Sequence, residues 1–273
     1  MRLQVTILGC GSSPGVPRIG NDWGVCDPAE PRNRRRRCAL LVEQFNDGPE
    51  PTRVLVDTGP DMREQLLDAQ VGRIDAVVYT HAHADHLHGI DDLRAFWLNA
   101  RQLVRLYADA PTASRIKEAF SYCFESAANG LYPPILELDT IVAGELFTAS
   151  GPGGAIDVEP IAQNHGPGTS VGFRFGPIAY SCDVSALPDD SVSRLQGLDT
   201  WIVGALRREP HPSHFTVDQA LDWIGRVAPK RAVLTHMHND LDYRTLRDEL
   251  PDHVEPGYDG MRITAEIQDQ KVP

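Results

Sequence analysis

The sequence predicts a sheet-rich α/β layered protein, on two observations. Short runs rich in Val and Ile, bounded by Gly, Pro or Asp, recur along the chain, and such runs are typical of β-strands. Stretches in which apolar residues recur with helical spacing lie between them. Strands therefore dominate and helices are interspersed, which is the pattern of sheets covered by helices. There is no internal repeat and no linker-like segment, so we expect one domain over residues 1–273.

The strands are defined by their composition and by the residues that end them. The first is an N-terminal apolar run that stops at Gly9, and the run AVVY over residues 76–79 leads directly into a cluster of histidines. The predicted strands are residues 3–8, 38–42, 54–56, 76–79, 156–161, 171–175, 178–180, 201–203 and 232–234.

The helices are defined by periodicity and by their end signals. The clearest covers residues 216–228, where Thr216 and Gln219 have the spacing of a capping box. Another covers residues 241–250 and is stopped by Pro251. Residues 61–69 and 112–124 are the remaining helix candidates.

Composition and charge disfavour several classes of protein. The chain has 38 acidic against 26 basic residues and a formal net charge of −12, which disfavours a broad electrostatic grip on nucleic acid or anionic membrane. There is no signal-peptide pattern at the N-terminus and no apolar run of about eighteen residues, so no membrane span is expected. The five cysteines are odd in number and show no C-x-x-C spacing, so we expect reduced thiols in a cytoplasmic protein. The sequence leaves a homodimer open.

Metal-ligating residue types are concentrated directly after the strand at residues 76–79. Four histidines and one aspartate fall within the eight residues HAHADHLH. Imidazole and carboxylate groups together suit zinc, manganese or iron, and the small alanines let the backbone fold tightly around an ion. A loop can direct alternate side chains at two neighbouring points, so His81 and His83 suit one ion, and Asp85 and His86 suit a second.

The pattern H-x-H-x-D-H formed by these residues resembles the signature of the metallo-β-lactamase superfamily. Further elements of that superfamily follow in order: His165 in Gln-Asn-His-Gly, Asp183 after a strand, and His236 after a later strand. An early acidic residue, Asp57, ends the strand at residues 54–56. The resemblance spans residues 1 to about 265, and it implies a four-layer αββα sandwich of two mixed sheets flanked by helices.

Within the superfamily, the chain is similar to the branch that contains phosphoribosyl cyclic phosphate phosphodiesterase. The matching pieces are residues 9–17, 34–38 and 258–262, together with His214 just before a helix. That phosphodiesterase holds an additional structural zinc through a cysteine pair and a late histidine. Here the corresponding region has Cys26 alone, and Asn239, adjacent to His238, fills the late position. The extra zinc is therefore not expected.

The resemblance implies a set of ligands for two divalent ions, zinc or manganese. The first ion is assigned His81, His83 and His165, the second Asp85, His86 and His236, and Asp183 bridges them. The implied activity is hydrolysis of a small, cyclic, nucleotide-like or sugar phosphate ester by a metal-bound hydroxide. Asp183 and His214 are the implied catalytic residues, with His214 as general acid. The alternative for His214 is that it caps or packs against the helix that follows it.

For other polar residues near these motifs, the sequence supports more than one hypothesis. Asp57 either orients a ligand histidine or belongs to a turn. Ser12 and Ser13 lie in a Gly-rich loop that either contacts a phosphate or forms a plain tight turn. Arg34, Arg35, Arg36 and Arg37 form a charge run, which is a solvated face, a set of local ion pairs, or the source of one arginine that faces an anionic substrate.

Competing functions stay open at this point. One is transfer-RNA 3′ processing by a relative with the same fold, which the net charge of −12 disfavours. Another is a role like that of the protein for pyrroloquinoline-quinone biosynthesis. A third is a metal-binding module without catalysis, because a fold does not fix a function.

Overall fold

Two mixed β-sheets of seven strands each form the centre of the molecule. The computed structural model describes residues 1–126 and 132–267. The strands are β1 Arg2–Gly9, β2 Ala39–Phe45, β3 Thr52–Val56, β4 Ala76–Val78, β5 Val104–Ala108, β6 Leu136–Thr140, β7 Phe147–Gly151, β8 Gly154–His165, β9 Gly168–Phe175, β10 Ile178–Ser181, β11 Thr200–Gly204, β12 Arg231–Thr235, β13 Val254–Pro256 and β14 Arg262–Glu266.

Both sheets follow the same plan of strand directions. The orders are β14-β1-β2-β3-β4-β5-β6 and β13-β12-β11-β10-β9-β8-β7. In the first sheet the pairs from β14 to β3 are antiparallel and those from β3 to β6 are parallel. In the second sheet the pairs from β7 to β10 are antiparallel and those from β10 to β13 are parallel. Each sheet is therefore mixed, as the resemblance implied.

Helices cover the outer faces of the sheets. They are α1 Met62–Asp68, α2 Ala84–Leu87, α3 Arg94–Ala100, α4 Ala110–Ala119, α5 Asp189–Arg194, α6 Val217–Val227 and α7 Tyr243–Glu249. Short 3₁₀ helices lie at Pro31–Asn33, Ile90–Leu93 and Ser121–Cys123. No helix in the described part of the chain is both long and apolar enough to span a membrane.

Alternate residues of the first sheet point into two different cores. In β2, Leu40 and Val42 belong to the core shared with the second sheet, whereas Leu41 belongs to the core under the helices. In β3, Val54 and Leu55 divide in the same way. A strand buried on both faces needs apolar residues at every position, which explains why these strands appear as continuous apolar runs.

All the predicted strands are present, with ends shifted by a few residues. The predicted helix at 216–228 is α6, and both hydrogen bonds of its capping box are formed between Thr216 and Gln219. The predicted helix at 112–124 has the wrong bounds, because Asp109 caps α4 by accepting from Thr112 N and the backbone leaves helical geometry at Phe120. All five cysteines are buried free thiols.

Candidate metal centre

The predicted site residues come together at the carboxyl ends of strands from both sheets. Asp57 follows β3, the segment 81–86 follows β4, His165 is the last residue of β8, Asp183 lies just beyond β10, and His236 follows β12. A hydrogen bond from Val171 N to Thr80 O, 2.8 Å long, joins β9 to the start of the histidine loop. The site therefore lies at one edge of the sandwich, where the two sheets meet.

The first group of possible ligands is His81, His83, His165 and Asp183, whose ligand atoms lie within 4.8 Å of one another. His81 Nε2 is 2.8 Å from His83 Nδ1, and His83 Nδ1 is 3.4 Å from His165 Nε2. The structure thus brings the lone histidine at the end of β8 to the two histidines that precede α2.

The second group is His86, Asp183, His236 and Cys182, again with ligand atoms within 4.8 Å of one another. Asp85 Oδ2 lies 3.4 Å from His86 Nε2 and 4.0 Å from His236 Nε2. Cys182, which its place beside Asp183 predicts to be a buried thiol rather than a ligand, belongs to this group by distance, and burial raises the pKa of its thiol well above the usual range.

Asp183 lies between the two groups, with one carboxylate oxygen facing each. Its Oδ2 is 3.6 Å from His81 Nε2 and 3.7 Å from His165 Nε2. Its Oδ1 is 3.3 Å from His86 Nε2 and 3.2 Å from His236 Nε2. A carboxylate that presents its two oxygens to two sets of histidines has the geometry of a bridging ligand for two cations.

Buried polar atoms without partners show that these residues fit metal ions. His86 Nε2, both ring nitrogens of His236, and Asp183 Oδ1 are buried and have no hydrogen-bond partner among the described residues. Leaving such atoms unpaired costs about 1–3 kcal/mol each, so native structures rarely contain several together. Imidazole nitrogen and carboxylate oxygen are donors that divalent ions such as zinc accept.

Polar neighbours hold two of the histidines in defined orientations. His86 Nδ1 is 2.7 Å from Asp57 Oδ2, which leaves Nε2 directed at the site. Asp57 also accepts from Thr80 N at 2.8 Å and from the Thr80 hydroxyl at 2.8 Å. His165 Nδ1 is 2.8 Å from the Ser213 carbonyl oxygen, which orients that ring in the same way. Such contacts fix the tautomer of a ligand histidine, so Asp57 is placed to orient His86.

Burial and the neighbouring carboxylates together set the pKa values of the site histidines. Burial lowers the pKa of His81, His83 and His236, and neutral imidazole is the form that binds cations. Burial also acts to lower the pKa of His86, but the Asp183 and Asp57 carboxylates outweigh it and raise that pKa well above its usual range.

Backbone contacts fix the position of the histidine loop. Thr58 N donates to His86 O at 2.8 Å, and Gly89 N donates to Thr58 O at 2.7 Å. A Cβ on Gly59 would lie 2.1 Å from Asp85 O, and one on Gly89 would lie 2.2 Å from Gly59 O, so only glycine allows this approach. Asp57 and His236 have positive φ values of 65° and 57°, uncommon for residues with a side chain.

His214, the predicted general acid, lies beside both groups. Its Nδ1 is 3.9 Å from Asp183 Oδ2, and its ring stacks on His236 with centroids 4.7 Å apart. Burial is the main cause and the neighbouring His236 the second of a lowered pKa of His214, which falls to about 3. The ring is therefore neutral near pH 7 in the protein alone.

The arginine run is mostly occupied by contacts within the protein. Arg35 is buried and donates to the carbonyls of His238 and Leu241. Arg36 pairs with Asp68 and Asp259, and Arg37 pairs with Asp61. Arg34 lies over the Trp23 ring at 5.4 Å. Arg37 also donates from its Nε to the Ser13 carbonyl at 3.0 Å.

The region that corresponds to the additional zinc of the related phosphodiesterase is held by hydrogen bonds. Cys26 Sγ lies 3.5 Å from the carbonyl oxygens of both Asn239 and Leu241. Arg35 Nη1 donates to His238 O at 3.1 Å, and Arg18 Nη2 donates to Asn239 Oδ1 at 2.9 Å. Guanidinium groups thus connect the N-terminal loop to the segment after His236.

The sandwich of two mixed sheets has the metallo-β-lactamase fold, and the histidine and aspartate groups at its edge could hold metal ions. A family model described as a β-lactamase superfamily domain matches residues 52–237. A crystal structure of a new diphosphatase from the PhnP family is 35% identical, with a TM-score of 0.86 over 97% of this chain and 98% of that one. The chain therefore belongs to the β-lactamase superfamily and, within it, to the PhnP family.

Two curated relatives are also similar. An octanoyltransferase of Porphyromonas gingivalis is 32% identical over 263 residues, which is 95% of this chain and 51% of that protein. A ribonuclease Z of a Bradyrhizobium strain is 29% identical over 147 residues, which is 53% of this chain and 46% of that protein. This chain thus spans about half the length of the curated relatives that it matches.

Proposed function

We propose that this protein is a dinuclear phosphodiesterase that hydrolyses a small phosphate ester, cyclic, nucleotide-like or sugar-based. The observation that carries the proposal is Asp183, whose two carboxylate oxygens face two separate sets of histidines at 3.2–3.7 Å. The proposed ligands are His81, His83 and His165 for one ion and Asp85, His86 and His236 for the other, with Asp183 shared. Zinc suits this donor set best, and manganese is the alternative.

Two divalent ions at such a site supply Lewis-acid chemistry, which lowers the pKa of water and offsets negative charge on phosphoryl oxygens. The protein's own contribution is to hold seven donor groups in place before substrate arrives. Asp57 keeps Nδ1 of His86 protonated, and the Ser213 carbonyl does the same for His165. Preorganised donors of this kind do not have to rearrange during the reaction.

His214 is the proposed proton donor to the leaving oxygen. Its lowered pKa leaves the ring neutral near pH 7, so it has to acquire a proton before it can act as an acid. An anionic phosphoryl group beside the ring favours the imidazolium form and opposes the effect of burial. In this proposal, substrate binding and protonation of His214 are therefore coupled.

The test uses the metal-loaded protein and bis(p-nitrophenyl) phosphate as substrate. We expect hydrolysis that is lost on dialysis against a chelator, returns with Zn²⁺ or Mn²⁺, and falls by at least about 10³-fold in Asp183→Ala, because both ions lose a shared ligand. The matched control is Asp199→Ala, which removes an exposed aspartate that pairs with Lys230. Full activity of Asp183→Ala, or a metal content well below two ions per chain, would refute the proposal.

A second candidate reaction is the cleavage of a phosphoanhydride. It is favoured by one observation, the 35% identity with a diphosphatase over nearly the whole of both chains. The same two-ion geometry serves both reactions, since each is an in-line displacement at phosphorus. A panel containing a cyclic nucleotide, a dinucleoside diphosphate and precursor tRNA separates the candidates through kcat/KM. Preference for the dinucleoside diphosphate would favour the anhydride, and preference for the tRNA would contradict both.

A further inference from the structure

Asp85 differs from the other proposed ligands in the way it is held. It lies at the first turn of α2, a helix of only four residues, and its Oδ2 is farther from His236 Nε2, at 4.0 Å, than Asp183 Oδ1 is, at 3.2 Å. The hydrogen-bond donor that the structure gives to Asp85 Oδ2 is the hydroxyl of Ser13, at 2.8 Å. A carboxylate oxygen has two acceptor sites, so this contact leaves one of them free to face a cation.

The loop that carries Ser13 is fixed on both sides. Ser12 N donates to Met237 O at 3.2 Å, directly after His236, and Gly15 N closes a turn onto Ser12 O at 2.7 Å. Arg37 Nε donates to the Ser13 carbonyl at 3.0 Å. The loop thus contacts the residue that follows one ligand of the second group, and through Ser13 it contacts Asp85 itself.

Arg37 is in turn held by the start of α1. Its backbone N donates to Asp61 Oδ2 at 2.9 Å, and its Nη1 donates to Asp61 Oδ1 at 2.8 Å. This pair is only partly exposed, with about a quarter of each side chain accessible, so it is less screened than a surface pair. A chain of contacts therefore runs from Asp61 through Arg37 and Ser13 to Asp85.

We propose that Ser13 is a positioning residue for the second metal ion, acting through its hydroxyl on Asp85, with Arg37 as the group that holds Ser13 in place. The inference rests on the proposed function, because it assumes that Asp85 binds an ion. It assigns Ser13 a role other than contact with a substrate phosphate, and it assigns Arg37 a supporting role rather than recognition of the anion.

The experiment measures Zn²⁺ binding by the metal-free protein in competition with a chromophoric chelator. In Ser13→Ala we expect the first equivalent to bind as in the wild type and the second to bind about 10- to 100-fold more weakly. Ser13→Thr retains the hydroxyl and should restore most of the affinity, whereas Arg37→Gln should weaken only the second equivalent, and by less than Ser13→Ala. Ser193→Ala is the control, because the hydroxyl of that exposed serine donates to Asp189 O within α5.

The outcomes separate this inference from the proposed function. If wild type and Ser13→Ala bind both equivalents with equal affinity, while Asp85→Ala loses the second, the role of Ser13 is refuted and the two-ion site stands. If the wild type itself binds fewer than two equivalents, the proposed site is refuted, and the role of Ser13 with it. If Ser13→Ala weakens both equivalents equally and Ser13→Thr does not restore them, the loop acts on the whole fold, and the inference is overturned.

Discussion

Replacing Asp57 with Asn tests how much of the metal affinity comes from a residue outside the proposed ligand set. Asp57 is fully buried and accepts from Thr80 N and from His86 Nδ1. Asn tolerates the positive φ of 65° and can keep the bond from Thr80 N, but its amide then donates to His86 Nδ1. The proton of the His86 ring moves to Nε2, which is the atom that has to face the cation.

The magnitude follows from that tautomer change. A bond to a charged acceptor contributes about 1.5–3 kcal/mol, and the loss of such a partner behind a ligand histidine lowers metal affinity by about 10- to 100-fold. That factor corresponds to about 1.4–2.7 kcal/mol. We therefore expect Asp57→Asn to bind the second Zn²⁺ about 10- to 100-fold more weakly than the wild type. Saturating Zn²⁺ should restore part of the lost activity.

The assay is a titration of metal-free protein against a chelating dye, followed by kcat/KM at low and high Zn²⁺. The control is Asp75→Asn, which alters an aspartate just before β4 whose side chain is only 7% exposed, pairs with Arg73 and accepts from Arg53 N. Unchanged Zn²⁺ affinity in Asp57→Asn would show that the contact between Asp57 and His86 does not select the tautomer.

Three further variants test other parts of the structure. Gly89→Ala places a Cβ 2.2 Å from Gly59 O and should cost about 1–3 kcal/mol in urea unfolding, whereas Gly72→Ala, with nothing within 4 Å, should not. His214→Ala should lower kcat by about 10²- to 10⁴-fold with the metal content unchanged, and a smaller loss would argue that the ring only packs against His236. Burial raises the pKa of Asp242, but hydrogen bonds from Thr245, Asp27 and Asn33 outweigh it and lower that pKa to about 2. This carboxylate therefore stabilises the fold above a pH of about 4, and that stabilisation is lost as the pH falls towards 2. We expect Asp242→Asn to lower the free energy of unfolding by about 1 kcal/mol near pH 7, after solvent screening, and the difference from the wild type should vanish at low pH in urea titrations.

The strands that the sequence revealed are the central ones, and the strands that it did not reveal are mostly edges. β6, β7, β13 and β14 are the outer strands of the two sheets, and none was predicted. In β14, four of five side chains are at least partly exposed, so its apolar signal is weak. β2 and β3, covered on both faces, carry continuous apolar runs and were predicted.

The same distinction applies to the site. The spacing of His81, His83 and His86 is local and was visible in the sequence, whereas the roles of Ser13 and Thr80 depend on which strand ends meet in space. Ser13 lies 72 residues from Asp85 along the chain, and no periodicity links them. Cys182 lies in the second group because it follows the end of β10, directly before Asp183.

The charge of the whole chain and the charge of the site favour different partners. A net charge of −12 repels a polyanion such as RNA over a surface much larger than the site. Two divalent ions would carry more positive charge than Asp57, Asp85 and Asp183 carry negative charge. The excess positive charge would attract a small anion that comes within a Debye length of about 8–10 Å. A phosphodiester with a single charge gains the local attraction with little of the long-range repulsion. Raising the ionic strength should therefore weaken the binding of a small diester only modestly, and it should raise the rate at which any RNA reaches the site.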